Sequence, residues 1–238
     1  MFKSFVMSPM EALLDGELAS GRDVGPIGRR VRPAIRQPRF VRTLDIVVAV
    51  LAILFFAPLM AIIALVIRGS DSGPVLFVQS RVGLGGKTFD CFKFRTMYVD
   101  AESQLAELLA SSAAARAEWE RDHKLRNDPR VIGIGALLRR TSFDELPQLF
   151  NVLRGDMSIV GPRPIIASEV VRYRRYFAQY CAVRPGITGL WQVSGRNNVS
   201  YRRRVACDVA YARSKSVLTD LRIIAMTVPV VLFGSGAY

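Results

Sequence analysis

Apolar residues recur along this chain with several different periods, and one stretch has no period at all. From Leu44 to Ile67 the sequence LDIVVAVLAILFFAPLMAIIALVI is apolar almost without a break, with Asp45 at its edge as the single charge. A run of that length just spans the hydrocarbon core of a bilayer. Arg39 and Arg42 precede it and Arg68 follows it. Cations thus anchor both ends, and the positive-inside bias favours both ends on the cytoplasmic side. Pro58 falls near the middle, where it removes a helix hydrogen bond and crowds the carbonyl four residues earlier. Two arrangements satisfy these residues: a kinked helix that enters one leaflet and returns, and an ordinary transmembrane helix with a tolerated proline.

Shorter patterns follow. Val75–Gln79 and Thr88–Phe94 read as two strands joined through Gly83, Gly85 and Gly86, a β-hairpin. Its tip, GLGGKT, has the composition of a phosphate-binding loop, but position 81 is arginine where that motif needs glycine, so it reads as a turn. Asp100 to about Lys124 has helical spacing and many charges, which predicts one exposed helix ahead of Asn127-Asp128-Pro129. Ser168–Tyr180 reads as a basic amphipathic helix with Ser168 as N-cap and Tyr173, Tyr176, Phe177 and Tyr180 on or near one face. Val183–Val193 reads as strand and turn. Val217–Phe233 is apolar but interrupted by Asp220, Arg222 and Pro229, which suits a helix at an interface or in the core. Residues 1–38 mix Gly, Pro and Arg without period and read as a flexible basic region. Their first ten residues lack the charged start and continuous apolar core of a signal peptide.

Composition narrows the function classes. The 238 residues carry a net charge of +13, and half of them are apolar. A chain both basic and greasy suits an anionic membrane surface better than nucleic acid. Cys91, Cys181 and Cys207 are widely spaced, which argues against a disulfide framework or a thiolate zinc site. His123, the only histidine, reads as a surface residue, and any mechanism needing several imidazoles is excluded.

The candidate chemistry lies in Leu138–Pro164, LRRTSFDELPQLFNVLRGDMSIVGPRP. Pro147 is comfortable only in a first helical turn, so a helix through Leu149, Val152 and Leu153 is expected to start near Ser142–Asp144. Ser142 and Glu145 have capping-box spacing. Asp144 and Glu145 then sit at a helix N-terminus, as caps or as working acids. Their neighbours favour the second role. Arg139 and Arg140 come just before them, Arg163 stands between Pro162 and Pro164, and Lys93 and Arg95 share one face of a predicted strand. Carboxylates that hold Mg2+ while cations clamp phosphates are a recurrent arrangement for phosphoryl transfer. A carboxylate can also attack phosphorus and form an acyl phosphate.

Taken in order, Lys93-Phe94-Arg95-Thr96-Met97, then Leu138–Pro164, then Arg184-Pro185-Gly186-Ile187-Thr188-Gly189-Leu190-Trp191-Gln192 resemble the bacterial sugar transferases, the monotopic polyprenol-phosphate phosphoglycosyl transferases. The resemblance runs from about Phe40 to the C-terminus. WQVSGRNNVSY through LTDLRIIAMT looks most like the members that start exopolysaccharide repeat units with a hexose phosphate. It implies a mixed α/β fold, mostly helical. A re-entrant, Pro-kinked membrane helix (44–67), a β-hairpin and amphipathic interfacial helices would belong to one phosphoglycosyl transferase domain, 39–238, with 70–238 cytoplasmic.

The implied activity is transfer of a hexose 1-phosphate from a UDP-sugar to undecaprenyl phosphate. UMP is released with Mg2+ present, at the cytoplasmic face of the inner membrane and among its lipids. By the same match Asp144 is the nucleophile of a ping-pong reaction, and Glu145, with Asp144, holds the metal. Pro162, Arg163 and Pro164 lie near the nucleotide or phosphate, and Lys93, Arg95 and Arg140 are basic positions around the site. Galactose and glucose are the favoured sugars, and a homodimer is compatible. Many members carry Ser-Pro at the helix break, where this chain has Ala57-Pro58 and so lacks a hydroxyl for a freed carbonyl.

Two other readings compete. A non-catalytic basic membrane scaffold of polysaccharide assembly explains charge and greasiness but leaves the acidic pair as accident. Nucleic-acid binding through Arg202, Arg203 and Arg204 or Arg172–Arg175 is disfavoured, since those charges suit lipid or solvent and the nearby tyrosines suit packing. Asn198-Val199-Ser200 matches a glycosylation acceptor that a cytoplasmic face would leave unused.

Overall fold

A computed structural model describes residues 39–122, 125, 128–194 and 200–233. The expectations for residues 1–38, His123 and the Asn198 acceptor lie outside the described residues. The chain is mostly helical with two small sheets. In order, the elements are α1 (Arg39–Ser70), β1 (Leu76–Val82), β2 (Thr88–Phe94), α2 (Ala101–Ser111), α3 (Ala113–Asp122), α4 (Gly135–Thr141), α5 (Gln148–Arg154) and β3 (Ser158–Val160). There follow α6 (Val170–Tyr173), α7 (Phe177–Tyr180), β4 (Gly186–Thr188), α8 (Leu190–Ser194), α9 (Tyr201–Ser214) and α10 (Val217–Phe233). β1 pairs with β2, and β3 with β4. The apolar run is one helix, α1, long and apolar enough to cross a membrane, and Pro58 lies inside it. Leu51, Leu54, Phe55, Ile62 and Leu65 on α1 are exposed, as suits a lipid-facing surface.

Two compact units arise from the described chain. One comprises residues 39–55, Val78–Phe92 and the chain from Gln148 onward; the other comprises Phe56–Phe77 and Lys93–Pro147.

In the first unit β3 and β4 run parallel, with Ser158 opposite Gly186 and Val160 opposite Thr188. A parallel pair needs a crossover, and residues 161–185 supply it. The two glycines beside this pair are dictated by space: a Cβ on Gly186 would lie 2.0 Å from the Gly161 nitrogen. Val160, Val183, Val193, Tyr211 and Ile223 form one core around the pair. Val82, Ile165, Tyr173, Tyr176, Tyr180, Val205 and Val209 belong to another. The start of α1 docks here through polar groups. Arg42 Nη2 donates to the carbonyls of Val152 (2.6 Å) and Leu153 (3.2 Å), which end α5. The buried Asp45 accepts from the Ser158 hydroxyl (2.8 Å) and the Ile159 N–H (3.0 Å).

In the second unit the latter half of α1 turns Ile63 and Ile67 onto Phe94, Ile132 and Leu138, with Leu59, Met60 and Ala64 packed around them. This core lies under the acidic pair.

Several elements depart from expectation. The helix expected over 100–124 is two, because Ser112 is extended and its hydroxyl oxygen accepts the Ala115 N–H (3.2 Å). A serine competes with helix continuation in this way and restarts the helix as a cap. The helix expected over 168–180 breaks at Arg174, which sits at φ 46°. There two tyrosine hydroxyls have fixed partners that override regularity: Tyr173 donates to Asp208 (2.7 Å) and Tyr180 to the Val82 carbonyl (2.7 Å). Ser168 is not its cap; Glu169 instead accepts the Ile166 N–H (3.1 Å). Val183–Val193 does contain a strand, β4, but ends in the helix α8.

Candidate active site

The acidic pair sits on a 3-10 turn, Phe143–Glu145, between α4 and α5. The expected helix N-terminus is shifted: α5 begins at Gln148, directly after Pro147, and Ser142 makes no side-chain cap. Ser142 closes α4 in the left-handed conformation, φ 60°, and this reversal separates the pair from the preceding helix. Apolar residues fix the turn from both sides. Phe143 and Leu146 pack onto the core of Ile63, Ile67, Phe94 and Leu138, and the Phe143 ring lies 6.2 Å from the Phe56 ring.

Lys93, near the end of β2, joins the two acids. Its Nζ donates to Glu145 at 2.7 Å and lies 3.7 Å from an Asp144 oxygen. Burial pushes the Asp144 carboxyl above the ordinary carboxylate range; Lys93 and Arg139 oppose the shift and Glu145 adds to it. A carboxylate desolvated yet faced by cations is a competent nucleophile or base.

The arginine pair divides. Arg139 is the member whose charge reaches Asp144, with its Nε donating to Thr96 Oγ1 at 2.9 Å. Arg140 is exposed, with no hydrogen bond or ion pair among the described residues. The sequence held no signal to rank the two. Arg95 lies one residue past β2 and is buried. Its guanidinium pairs with Asp71, its Nε donates to the Pro74 carbonyl (2.6 Å) and Nη1 to the Met97 carbonyl (3.0 Å). It thereby ties down the chain leaving α1. Ala57 and Pro58 are both exposed on α1.

The donor set bears on a divalent metal. Among the described residues no three acidic, histidine or cysteine side chains cluster as a cation cage. Two adjacent carboxylates nevertheless fit Mg2+, which keeps water and takes one or two protein carboxylates together with substrate phosphate oxygens. The residues present fit a metal that arrives with a phosphate.

The Pro-Arg-Pro element belongs to the first unit, and its backbone is held throughout. Gly161 N–H donates to the Thr188 carbonyl (2.9 Å), Gly186 N–H to the Pro162 carbonyl (2.8 Å), and Arg81 to the Pro164 carbonyl (3.0 Å). Pro162 and Pro164 are buried and Arg163 is half-buried. The Arg163 guanidinium lies 5.9 Å from the centre of the Trp191 ring, and that of Arg204 lies 4.7 Å from the same ring. Both cations act on Asp208, whose carboxyl burial pushes up to about 7 against their pull. Arg204 was expected to face lipid or solvent, yet its Nε is buried and has no hydrogen-bond partner among the described residues, as is the case for Gln192 Oε1. The signal for Arg204 was its spacing: on α9 it precedes Asp208 by one helical turn.

An acid pair bridged by lysine and, in the other unit, an arginine beside an aromatic ring suit a protein that handles anionic groups, and α1 is long and apolar enough to cross a membrane. The chain belongs to the bacterial sugar transferase family, which it matches over residues 36–234. The resemblance carried by its motifs thus holds at family level. It is 48% identical over 206 residues to an undecaprenyl-phosphate galactose phosphotransferase of Salmonella typhimurium, covering 86% of this chain and 43% of that protein. An exopolysaccharide production protein, ExoY, of Sinorhizobium fredii is 45% identical over 197 residues, with 83% and 87% covered. A UDP-glucose:undecaprenyl-phosphate glucose-1-phosphate transferase of Caulobacter vibrioides is 39% identical over 231 residues, with 91% and 81% covered. The chain therefore spans under half the length of the Salmonella relative and over four-fifths of the other two.

Proposed function

We propose that this chain transfers a hexose 1-phosphate, galactose or glucose, from a UDP-sugar to undecaprenyl phosphate, as the first membrane step of exopolysaccharide synthesis. The observation that carries the proposal is Asp144: half-buried, raised in pKa, and held with Glu145 against Lys93. The names of the relatives supply the substrate class.

In this reading an Asp144 oxygen attacks the phosphorus that bears the sugar. A P–O bond to that phosphorus forms and the P–O bond to the UMP oxygen breaks, so UMP leaves with the electron pair. An undecaprenyl phosphate oxygen then attacks the same phosphorus, and the acyl-phosphate P–O bond breaks to restore the carboxylate. Lys93 orients Glu145 and offsets the charge of Asp144, Arg139 faces the same carboxylate, and Arg163 meets phosphate elsewhere on the chain. Arg95 shapes the loop beside the site, and the exposed Arg140 is left to greet incoming anions. Mg2+, held by Glu145 with Asp144, would supply charge neutralisation at phosphate oxygens.

Support for a helix that re-enters the cytoplasmic side comes from its two ends. Arg42 and Asp45 bond to residues 152–159, whereas Ile63 and Ile67 pack on residues 94–138. Among the described residues α1 is the one helix long and apolar enough to cross, and Arg39, Arg42 and Arg68 put cations at both of its ends, which favours one side of the membrane for both. The cytoplasmic face of the inner membrane, with its lipids, is the location this reading requires.

The test is release of UMP by the purified chain in lipid vesicles with Mg2+ and a panel of UDP-sugars. A burst of UMP about equal to the enzyme is expected before undecaprenyl phosphate is added. If Asp144→Asn released UMP at the wild-type rate, the proposal would fail.

A further inference from the structure

The first unit holds a cavity remote in sequence from the acidic pair and used by none of the steps above. It measures about 530 Å3 and is lined by Arg172, Arg174 and Arg202 with Tyr173, Tyr176 and Tyr201 and two valines. No carboxylate is among these lining residues. The nearby Glu169 accepts the Ile166 N–H, lies 4.0 Å from Arg81 and also acts on Tyr201, one of the lining residues.

Two features show a built site rather than a chance gathering of surface charge. The Arg172 guanidinium lies over the Tyr201 ring, 4.7 Å from its centre, and this cation–π contact holds it at the cavity wall. Arg174 sits at φ 46°, ψ −129°, a backbone conformation that a residue with a Cβ adopts only at a cost. That distortion turns a cation to the cavity, while Tyr173 and Tyr176 on either side are buried beneath it. Neither Arg172 nor Arg174 has a carboxylate partner among the described residues.

We propose that this cavity binds a phosphate oxyanion through the guanidinium groups of Arg172 and Arg174, residues that take no part in the transfer chemistry. The tyrosine rings and Val171 and Val205 offer apolar contact to whatever bears the phosphate. A phospholipid headgroup and a free phosphate share the recognised chemistry.

The test uses the full chain in neutral detergent micelles, titrated calorimetrically with dioctanoyl phosphatidate and, separately, with inorganic phosphate. Arg174→Gly removes one cation and permits the positive φ, so it is expected to raise Tm while weakening binding about tenfold, the scale of a lost charge-assisted contact. Arg172→Gln leaves the backbone alone and is expected to lose affinity similarly. Arg213→Gln, an exposed change of equal charge, is the control and is expected to bind as the wild type does. Loss confined to phosphatidate identifies a lipid headgroup; loss with both ligands identifies the bare oxyanion. Wild-type affinity in both cavity variants, an equal loss in the control, or no binding by the unaltered chain would each overturn the proposal.

Discussion

At Asp144 stability and chemistry pull in opposite directions. The folded protein holds its proton above the ordinary carboxylate pKa of 3.8, chiefly through burial. Between that value and the raised one the folded state binds more protons than the unfolded state, so stability falls as pH rises. Asp144→Asn is therefore expected to raise Tm at neutral pH while lowering UMP release by at least about a thousandfold. A scaffold gains nothing from such a residue, and no UMP release by the unaltered chain, with Tm unchanged in the variant, would point back to that reading. Asp208 obeys the same sign over a defined window. Its contribution is greatest below 3.8 and is lost as pH rises to about 7. Thermal melts of Asp208→Asn from pH 4 to 8 should show a flatter profile than the wild type, since the amide still accepts from Tyr173. A slope unchanged by the substitution would mean that Asp208 is ionised throughout.

Among the elements, the 3-10 turn Phe143–Glu145 owes its position to what packs on either side of it. Phe143→Ala removes a half-buried ring that meets Phe56, so a loss of about 2–3 kcal/mol is expected in urea unfolding, with UMP release falling as the pair loosens. Asp45→Ala leaves the Ser158 hydroxyl and the Ile159 N–H without their acceptor. It should cost about 1–3 kcal/mol by the same measurement, and Asp45→Asn less. Such couplings mark the limit of what the sequence makes legible. The apolar helix, the hairpin and the final helix follow from composition and period, because burial in lipid or core imposes those patterns directly. The acidic pair is visible as well, since adjacent acids among arginines break the local pattern. The break at Arg174, the restart at Ser112 and the shift of α5 to Gln148 are not visible. Each is decided by a hydrogen bond or a packing contact that local period does not encode. The partition of roles between Arg139 and Arg140 hides for the same reason.

On the scale of the whole molecule, charge and greasiness act together. With a net charge of +13 and an exposed apolar helix, the chain should bind anionic vesicles far better than neutral ones at low salt. Half-molar salt should narrow that difference, as measured by vesicle flotation, because exposed charges are screened while apolar insertion is not. Retained selectivity at high salt would assign binding to specific headgroup contacts, such as those of the arginine cavity.

The docking of α1 has a consequence for how the protein is made. Asp45 and its partners Ser158 and Ile159 are separated by 113 and 114 residues of chain. At about 5–20 residues per second, a ribosome needs on the order of 6–20 s to supply them after the helix has emerged. During that interval the most apolar segment waits with a bare carboxylate and no folded protein to receive it. Synthesis beside a membrane, or with a chaperone holding the helix, should therefore decide the yield of active protein, and cell-free translation without either should yield aggregate.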